Sequence, residues 1–447
     1  MAGIFKSYDV RGVVPAELTT GDAYRIGKAA ANFLKAKTMA VSRDARIHSP
    51  DISAALMAGI NAAGCDCIDL GMNPTPITYY ATGTMGKQLQ GAIQVTASHN
   101  PSQYNGFKFT GAGALPMSYD TGISAIEALY KEDKPVLAKK RGKTTVKNLR
   151  PGYIKLCRQF ANLKRPLKVA IDTGNGVMGD ILPELLKGLP LKIVPLYFKP
   201  DGRFPNHEAN PLKAENLVDL QKAVVAKKCD IGVAFDGDGD RVAFVDEAGI
   251  AVPGDIAGAM MAQVMLKREK GGKVFYDVRA TKALPEAIKA AGGIALESRV
   301  GHSHIKAGLR REKALMAAEL SGHYYFRDFF FSDCGETAFF LVLSLLSQSS
   351  QKMSELVSPL KRYHHTGEIN FEVHDAAKVL KAIEDKYAPR ATSVSKVDGI
   401  SIDFSTWWFN VRMSNTEPVV RLNLESLISN EEMEAKKEEV TKVILGA

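Results

Sequence analysis

Hydrophobic positions along the chain follow two alternating spacings. Short apolar runs, such as Gly91–Val95 and Ile231–Phe235, are followed by longer segments, such as residues 215–226, in which apolar residues recur every three or four positions. Short continuous runs are typical of buried strands, and the longer period is typical of amphipathic helices. Strands that alternate with helices in this way predict an α/β fold with mixed, mostly parallel sheets.

The same pattern predicts four domains. Three α/β domains of similar size are expected at residues 1–148, 149–253 and 254–366, and their common pattern is consistent with an internal structural repeat. A smaller α+β domain is expected at residues 367–447, where the repeated alternation of strand and helix ends. The basic segment 139–151 between the first two domains is predicted to be a linker.

Composition and charge fit a globular enzyme with an anionic partner. The 447 residues include 58 basic and 49 acidic side chains, a formal net charge of +9, and 45% of the residues are hydrophobic. The charge suits either a phosphorylated small molecule or a nucleic acid. The densest basic run, Lys139–Lys143, contains no aromatic residue that could stack on a base. No nucleic-acid partner is therefore expected.

The cysteines and the apolar segments indicate the compartment. The five cysteines are odd in number and include no Cys-x-x-Cys pair, which argues against a disulfide framework and a zinc ribbon. Residues 1–9 lack the apolar core of a signal peptide. The most apolar later stretch, Ala338–Ser347, is shorter than the ~18 residues that a membrane span needs and predicts a buried helix. A cytoplasmic protein with no membrane partner is expected.

Ser98 lies at the end of a predicted strand. Gly91–Val95 precedes it, and Asn100 and Pro101 follow it. Open α/β sheets bind ligands at the carboxyl ends of their strands, so the Ser98 hydroxyl is in a position suited to reaction. Ser-His-Asn-Pro is also ordinary turn sequence, and taken alone it leaves a catalytic serine and a structural turn equally open.

Residues 236–241, Asp-Gly-Asp-Gly-Asp-Arg, carry the strongest chemical signal. Asp236, Asp238 and Asp240 alternate with glycines that allow a tight turn, so three carboxylates can converge on one hard cation such as Mg²⁺. An EF-hand is rejected because Arg241 occupies the sixth loop position, which requires glycine, and because the flanks have the pattern of strands. A solvated acidic turn is the remaining alternative. Arg241 would bring a positive charge to a phosphate or sugar oxygen.

Three further loops carry groups that can contact a phosphorylated sugar. The first combines guanidinium, hydroxyl and amide donors suited to a phosphate, although alone it is equally consistent with a polar turn. The second offers a carboxylate and a hydroxyl two residues apart, as needed to hold neighbouring sugar hydroxyls. The third contains a histidine, which can shuttle a proton but in isolation is more often structural. The residues of the first loop are Arg412, Ser414, Asn415, Thr416 and Arg421. Those of the second loop are Glu319 and Ser321, and the histidine of the third loop is His302.

With these loops in place, the chain resembles the α-D-phosphohexomutase superfamily, most closely its phosphomannomutase/phosphoglucomutase branch. Thr96–Pro101 resembles the phosphoserine loop, residues 236–241 the metal loop, residues 318–323 the sugar-recognition loop and residues 412–416 the phosphate-binding loop. The four motifs occur in the family's order and span nearly the whole chain. The resemblance implies three related α/β domains and a smaller C-terminal α+β domain around a central cleft, with one loop from each domain.

The resemblance also implies the reaction. A phosphoryl group would move reversibly between C6 and C1 of mannose or glucose phosphates, through a phosphoserine at Ser98 and a hexose 1,6-bisphosphate that is both intermediate and activator. Mg²⁺ would be held by the Ser98 phosphate and the three aspartates. Lys108, Arg11, Arg241 and His302 match positions that support proton transfer or bind near the phosphoserine. The residues implied in substrate binding are Tyr8, Glu319, Ser321, His323, Arg412, Ser414, Asn415, Thr416 and Arg421.

Two departures from the family pattern concern the sugar site. Ala318 stands where glycine usually precedes the sugar-loop glutamate, and Ala209 interrupts the Pro-Asn-His-x-Pro-Asn-Pro pattern at its second proline. Leu320 is closer to the mannose/glucose pattern than to that of phosphoglucosamine mutases, in which glutamine is expected. The expected partners are small hexose phosphates, and the expected assembly is a monomer or a weak dimer.

Other functions stay open as alternatives. Phosphoglucosamine mutase shares the implied fold, and a non-catalytic sugar-phosphate-binding protein would keep the cleft. The second is disfavoured because Ser98 and all three aspartates are present. A hydrolase that uses Ser98 with His99 is less consistent with the sequence, because adjacent side chains seldom face one another.

Overall fold

The computed structural model describes residues 3–133, 138–413 and 419–447. The chain divides into two compact units. The first unit is Met1–Gly254 with Ser321–Ser354, and the second unit is Asp255–Leu320 with Glu355–Ala447. Within the part of the chain that the structure describes, every helix is too short or too polar to cross a membrane.

The N-terminal segment is a mixed sheet with helices packed against it. Its elements are β1 (Val10–Val13), α1 (Thr20–Phe33), β2 (Thr38–Arg43), α2 (Ser49–Ala62), β3 (Asp66–Met72), α3 (Pro76–Met85), β4 (Gly91–Val95), β5 (Tyr104–Gly111), β6 (Leu115–Pro116), α4 (Ser124–Glu132) and β7 (Thr144–Val146). The strand order is β1-β5-β4-β2-β3-β7. In this order, the neighbouring strands β4, β2, β3 and β7 are parallel to one another. The strand β5 is antiparallel to both of its neighbours, β4 and β1.

Local sequence explains the two long helices of this segment. Thr19 and Asp22 form a reciprocal capping box that starts α1 and satisfies its first free N–H groups. The helices α1 and α2 cross at glycines: a Cβ added at Gly27 would lie 2.2 Å from the carbonyl oxygen of Leu56, and one added at Gly59 would lie 1.9 Å from that of Tyr24. Only glycine allows the two backbones to approach so closely.

The second segment repeats the α/β arrangement. Its elements are α5 (Arg150–Arg158), β8 (Leu167–Asp172), α6 (Met178–Leu186), β9 (Leu191–Leu196), α7 (Val218–Lys227), β10 (Ile231–Phe235), β11 (Val242–Val245) and β12 (Ala251–Val252). The strand order is β12-β11-β10-β8-β9, with β8, β9 and β10 parallel and β11 returning antiparallel to β10. The strands that the sequence predicts on both sides of residues 236–241 are confirmed, and they pair as a hairpin.

The third segment contributes to both units. Its elements are α8 (Gly254–Arg268), β13 (Lys273–Asp277), α9 (Ala283–Ala290), β14 (Ile294–Ser298), α10 (His302–Glu312), β15 (Met316–Ala318), β16 (Tyr324–Phe326), β17 (Ser332–Asp333), α11 (Gly335–Gln348) and α12 (Met353–Val357). In the second unit, β14, β13 and β15 are parallel neighbours. In the first unit, β16 and β17 form an antiparallel pair, and α11 is buried along most of its length, as its apolar sequence predicts.

The C-terminal segment is an antiparallel sheet with two helices. Its elements are β18 (His364–Glu372), α13 (Ala376–Tyr387), β19 (Ser393–Ser395), β20 (Ile400–Asp403), β21 (Trp407–Met413), β22 (Val419–Ser426) and α14 (Asn430–Gly446). The strand order is β18-β22-β21-β20-β19. Its core includes a stack in which the Trp407 ring lies 4.4 Å from Phe404 and 5.4 Å from Phe409, centroid to centroid. The predicted fold class is confirmed.

The segment 139–151, which is predicted to be a linker, contains a strand that the prediction lacks. Residues 144–146 form β7, which pairs in parallel with β3, and α5 already begins at Arg150. All three side chains of β7 are exposed. The segment joins the sheet through main-chain hydrogen bonds, such as the one from Cys67 N to Lys143 O, so its sequence has no buried apolar position that would have indicated a strand.

Candidate active site

Ser98 lies in the loop that follows β4, in the first unit. Its side chain is buried, and its φ of +51° is in the left-handed region that residues other than glycine seldom adopt. The hydroxyl donates to Asp236 Oδ2 at 2.9 Å, and its oxygen lies 3.3 Å from His99 Nδ1. Burial, with the positive charges of Arg241 and Arg11, lowers the pKa of His99 well below its usual value, so this imidazole is neutral. The structure therefore joins the predicted serine directly to the predicted metal loop.

The three aspartates of the β10–β11 turn converge. One oxygen from each of Asp236, Asp238 and Asp240 can be chosen so that all lie within 4.8 Å of one another, and all three residues are buried. Burial, and then the charges of the other two aspartates, raises the pKa of Asp236 well above its usual value. Buried carboxylates at this separation repel one another, so the cluster is suited to a cation.

Lys108, on β5, supplies positive charge to this cluster. Its ammonium group donates to Asp238 Oδ2 at 2.7 Å and to Asp240 Oδ2 at 2.5 Å. Burial alone would lower the pKa of Lys108, but the adjacent carboxylates outweigh it and the pKa is raised, so the amine is charged. Thr75, at the start of α3, also donates its hydroxyl to Asp238.

Arg241, His323 and Ser321 form a second line of contacts beside the triad. Arg241 N donates to Asp236 Oδ1 at 3.2 Å, and Arg241 Nε lies 3.3 Å from His323 Nε2. His323 Nδ1 lies 3.0 Å from Ser321 Oγ, and its Nε2 lies 3.5 Å from Asp240 Oδ1. Burial raises the pKa of Asp240, but Lys108 and His323 outweigh it, and the pKa falls well below its usual value. Asp240 is therefore ionised, and the pKa values of Asp236 and Asp240 are shifted in opposite directions.

Arg11 and Tyr8 belong to the N-terminal strand region of the same unit. Arg11, on β1, donates from Nη1 to Asn100 Oδ1 at 2.6 Å and is also paired with Asp9. Arg11 thus contacts the Ser98 loop through Asn100. Tyr8 is half-buried and lies in the turn that the bridge between Phe5 and Val10 closes.

The second unit brings other predicted residues together through an unpredicted arginine. Arg279 is buried and makes a two-pronged pair with Asp277, with contacts of 3.0 and 2.8 Å. Its Nη2 also lies 3.9 Å from Glu319 Oε1. Glu319 accepts the N–H of Gly301 at 3.2 Å, and Gly301 directly precedes His302, the first residue of α10. The sugar-loop carboxylate and the start of α10 are therefore adjacent.

Glu368, on β18, holds the predicted phosphate-loop arginines. Its Oε2 accepts from Arg412 Nη2 at 2.6 Å, and its Oε1 accepts from Arg421 Nη1 at 3.2 Å. Arg279 Nη1 lies 3.6 Å from the same carboxylate. Burial would raise the pKa of Glu368, but Arg279 and Arg412 outweigh it and lower the pKa, so the carboxylate is ionised. The predicted phosphate-loop residues Ser414, Asn415 and Thr416 lie outside the described residues.

Comparison with known proteins decides the family. Residues 2–136, 151–249 and 253–363 match the phosphoglucomutase/phosphomannomutase alpha/beta/alpha domains I, II and III, and residues 368–443 match the C-terminal domain of the same family. The chain belongs to the phosphoglucomutase/phosphomannomutase family. The predicted resemblance is thereby confirmed, whereas the predicted domain boundaries stay a prediction.

Individual relatives agree with the family. The chain is 38% identical over 432 residues to a phosphomannomutase of Escherichia coli strain K12, covering 94% of both chains. It is 36% identical to phosphohexose mutases of Xanthomonas campestris pv. campestris, covering 99% of both. A crystal structure of a phosphoglucomutase/phosphomannomutase family protein from Burkholderia thailandensis superposes with a TM-score of 0.91 at 32% identity, covering 99% of this chain and 96% of that one. The chain is therefore an isomerase of the mutase type, in a family of carbohydrate metabolism.

Several residues of this family member's site were missed by sequence reasoning. Thr75, Arg279 and Glu368 contact predicted residues, and Arg46 binds the main chain around Ser98. None of them lies in a loop that the sequence pattern singled out. The alternation of strand and helix could have placed Arg46 after β2, which neighbours β4, but it carries no signal for the contact itself.

Proposed function

We propose that this family member moves a phosphoryl group between C6 and C1 of mannose or glucose phosphates, with Ser98 as the carrier of the phosphoryl group. The observation that carries the proposal is the 2.9 Å hydrogen bond from the Ser98 hydroxyl to Asp236, inside a buried cluster of three aspartates and one lysine. Phosphoryl transfer depends mainly on positioning and on charge stabilisation, which this cluster supplies.

Mg²⁺ fits the three aspartates. Their oxygens are close enough for one small cation, and Asp238 Oδ1 accepts no hydrogen bond from the residues that the structure describes. Asp236, Asp238, Asp240 and the phosphorylated Ser98 would hold the ion, as hard oxygen ligands do. When bound, it neutralises charge on the phosphoryl oxygens.

The neighbouring side chains have distinct proposed roles. Asp236 accepts the hydrogen bond of the Ser98 hydroxyl and thereby orients that hydroxyl. Lys108 and Arg241 bring positive charge to the transferred group, and Arg11 supports the loop through Asn100. His302 is proposed to exchange a proton with the sugar hydroxyl that attacks or leaves.

The substrate contacts follow from the side chains of each unit. In the second unit, Arg412 and Arg421 are proposed to bind the phosphate that is not transferred. Glu319 is proposed to accept hydrogen bonds from the sugar hydroxyls. A hexose 1,6-bisphosphate intermediate would present either phosphate to these arginines, so one anchor serves both half-reactions. The remaining proposed substrate contacts are Tyr8, Ser321, His323, Ser414, Asn415 and Thr416.

The proposal is tested by assaying the purified protein on glucose, mannose and glucosamine 1-phosphates with Mg²⁺ and a trace of hexose 1,6-bisphosphate. Turnover of the glucose or mannose substrate is expected, with loss of more than about 1,000-fold in kcat for Ser98→Ala. Intact mass should show an added phosphoryl group of about 80 Da on the wild type and none on the variant.

The matched control is Ser53→Ala, which removes another buried serine hydroxyl of the first unit, one that binds the carbonyl of Pro50 on α2. This variant should keep wild-type activity. If none of the three sugar phosphates is converted, the mutase proposal is refuted. Exclusive turnover of glucosamine 1-phosphate would refute the proposal that the substrate is a mannose or glucose phosphate. Near-normal activity of Ser98→Ala would show that Ser98 does not carry the phosphoryl group.

A further inference from the structure

Arg46 is a fully buried arginine in the loop that follows β2. Its Nη1 donates to the carbonyl oxygens of Pro101 and Tyr104, at 2.7 and 2.9 Å. Its Nη2 donates to those of Ser98 and Asn100, at 2.8 and 2.6 Å. One guanidinium therefore binds four main-chain carbonyls of the segment that contains Ser98, with no exposed side-chain surface.

Asp44 fixes this guanidinium and reaches the other side of Ser98. Its Oδ2 accepts from Arg46 Nε at 3.2 Å and from the hydroxyl of Thr96 at 2.7 Å. The hydroxyl oxygen of Thr96 in turn accepts the main-chain N–H of Ser98 at 2.9 Å. The main-chain N–H of Ser98 is thus hydrogen-bonded to Thr96 and its C=O to Arg46, and Asp44 accepts a hydrogen bond from each of these two residues.

The backbone of Ser98 needs such support. Its φ of +51° is disfavoured for a residue with a Cβ, and a strained residue persists only when its surroundings hold it. The strained conformation is also the one in which the hydroxyl reaches Asp236. If the peptide relaxed, the hydroxyl would move relative to the aspartates, and small displacements of a reacting group cost rate.

We propose that Arg46 and Thr96 are positioning residues for Ser98, Arg46 on its carbonyl and Thr96 on its N–H, and that together they aim the hydroxyl at the metal loop. The inference rests on the proposed role of Ser98 as phosphoryl carrier. Neither residue is assigned a contact with substrate. Lysine cannot replace Arg46, because it has three donors on one nitrogen where arginine offers five in a planar fork.

The first test is Arg46→Lys, which keeps the charge. We expect kcat to fall about 10- to 100-fold while KM changes by less than about threefold, since only the reacting group is misplaced. A second measurement follows the intact mass of dephosphorylated protein mixed with glucose 1,6-bisphosphate. The rate at which Ser98 gains its phosphoryl group should fall by the same factor as kcat.

The control is Arg150→Lys. Arg150 makes comparable contacts away from Ser98, at 2.7 Å to Asn73 Oδ1 and 2.7 Å to the carbonyl of Met72. This variant should keep both rates when they are normalised to folded protein. Equal normalised rates for Arg46→Lys and Arg150→Lys would overturn the role of Arg46.

A pair of Thr96 variants tests the proposed role of Thr96 at the N–H of Ser98. These variants also test the proposal as a whole if Arg46→Lys does not fold. Thr96→Val removes the hydroxyl at nearly constant shape and should lower kcat about tenfold, whereas Thr96→Ser keeps the hydroxyl and should restore it. Equal activity of the two variants would overturn the proposal. A wild type that gains no mass on Ser98 would instead refute the proposed function, and the inference with it.

Discussion

Lys108 offsets part of the negative charge of the aspartate cluster. Its side chain is 17% exposed, and the side chains of Asp238 and Asp240, which it contacts, are 0% and 2% exposed. A buried charge that loses its partner is strongly destabilising, because water cannot replace the lost interaction. Lys108 is thus expected to stabilise the fold as well as to serve the reaction.

We expect Lys108→Gln to lower the free energy of unfolding by about 3 kcal/mol in the presence of EDTA. Added Mg²⁺ should stabilise this variant more than the wild type, because the ion restores the missing positive charge. Calorimetric unfolding of both proteins, with EDTA and then with excess Mg²⁺, measures the two effects.

Lys213→Gln is the control for this experiment. Lys213 contacts Glu208 at 2.6 Å, but the two side chains are 46% and 38% exposed. An exposed pair of this kind contributes at most about 1 kcal/mol, and Mg²⁺ should not compensate for its loss. If the two variants were equally stable in EDTA, charge balance at the triad would not be a stabilising factor.

Sequence reasoning predicted site residues when they occur in short motifs. Asp236, Asp238 and Asp240 can be recognised from the sequence as site residues, because three acidic residues within five positions have few structural uses. Arg46 and Glu368 are not, since a single charged residue usually lies on the surface and nothing in the local pattern indicates that it is buried. Their role depends on which loops the fold brings together.

At the scale of elements, the turn between β10 and β11 lies directly against the Ser98 loop. Gly237 packs closely against it, because a Cβ added there would lie 2.6 Å from the carbonyl oxygen of Ser98. That carbonyl is also held by Arg46 at 2.8 Å and has little freedom to move away. A side chain at position 237 would therefore push the two loops apart.

Gly237→Ala should lower kcat about tenfold or more and reduce stability by about 1–3 kcal/mol, as overpacking does. Steady-state kinetics and thermal unfolding measure the two effects. Gly21→Ala is the control: a Cβ added at Gly21, in the first turn of α1, would lie 3.5 Å from Thr19 Oγ1, an ordinary van der Waals distance. Alanine is favoured in a helix, so this variant should be active and as stable as the wild type or more so. Unchanged activity and stability of Gly237→Ala would contradict the close packing of the loops.

Elements were predicted well when their side chains are buried. Gly91–Val95 and Ile231–Phe235 form strands with the predicted bounds, and every residue in them is buried. The sequence does not predict β5, because its first three residues, Tyr-Asn-Gly, are typical of a turn and extend the polar turn before them. α10 was also missed, since two histidines and a lysine lie among its first five residues and weaken the apolar pattern.

At the scale of the whole molecule, one buried acid links stability to pH. Glu336, in the first turn of α11, is fully buried and accepts a hydrogen bond from the Tyr153 hydroxyl at 2.6 Å. Burial raises the pKa of Glu336 to about 7 from an ordinary value of 4.5, although the Tyr153 bond opposes the rise. Between these two values the folded protein binds more protons than the unfolded protein does. The titration of Glu336 therefore lowers the stability of the folded protein as the pH rises from about 4.5 to 7.

The Glu336→Gln variant tests this linkage, because its amide has nearly the same shape and does not titrate. The pKa difference corresponds to about 3 kcal/mol, so the wild type should lose about that much more stability than the variant between pH 4.5 and 8. Both tryptophans lie in the second unit, so calorimetry is preferable to fluorescence for a residue of the first unit.

Glu247→Gln is the control, because Ser354 outweighs burial and lowers the pKa of Glu247, which places its titration below this pH range. Parallel pH profiles for wild type and Glu336→Gln would show that the pKa of Glu336 is the same in the folded and the unfolded protein.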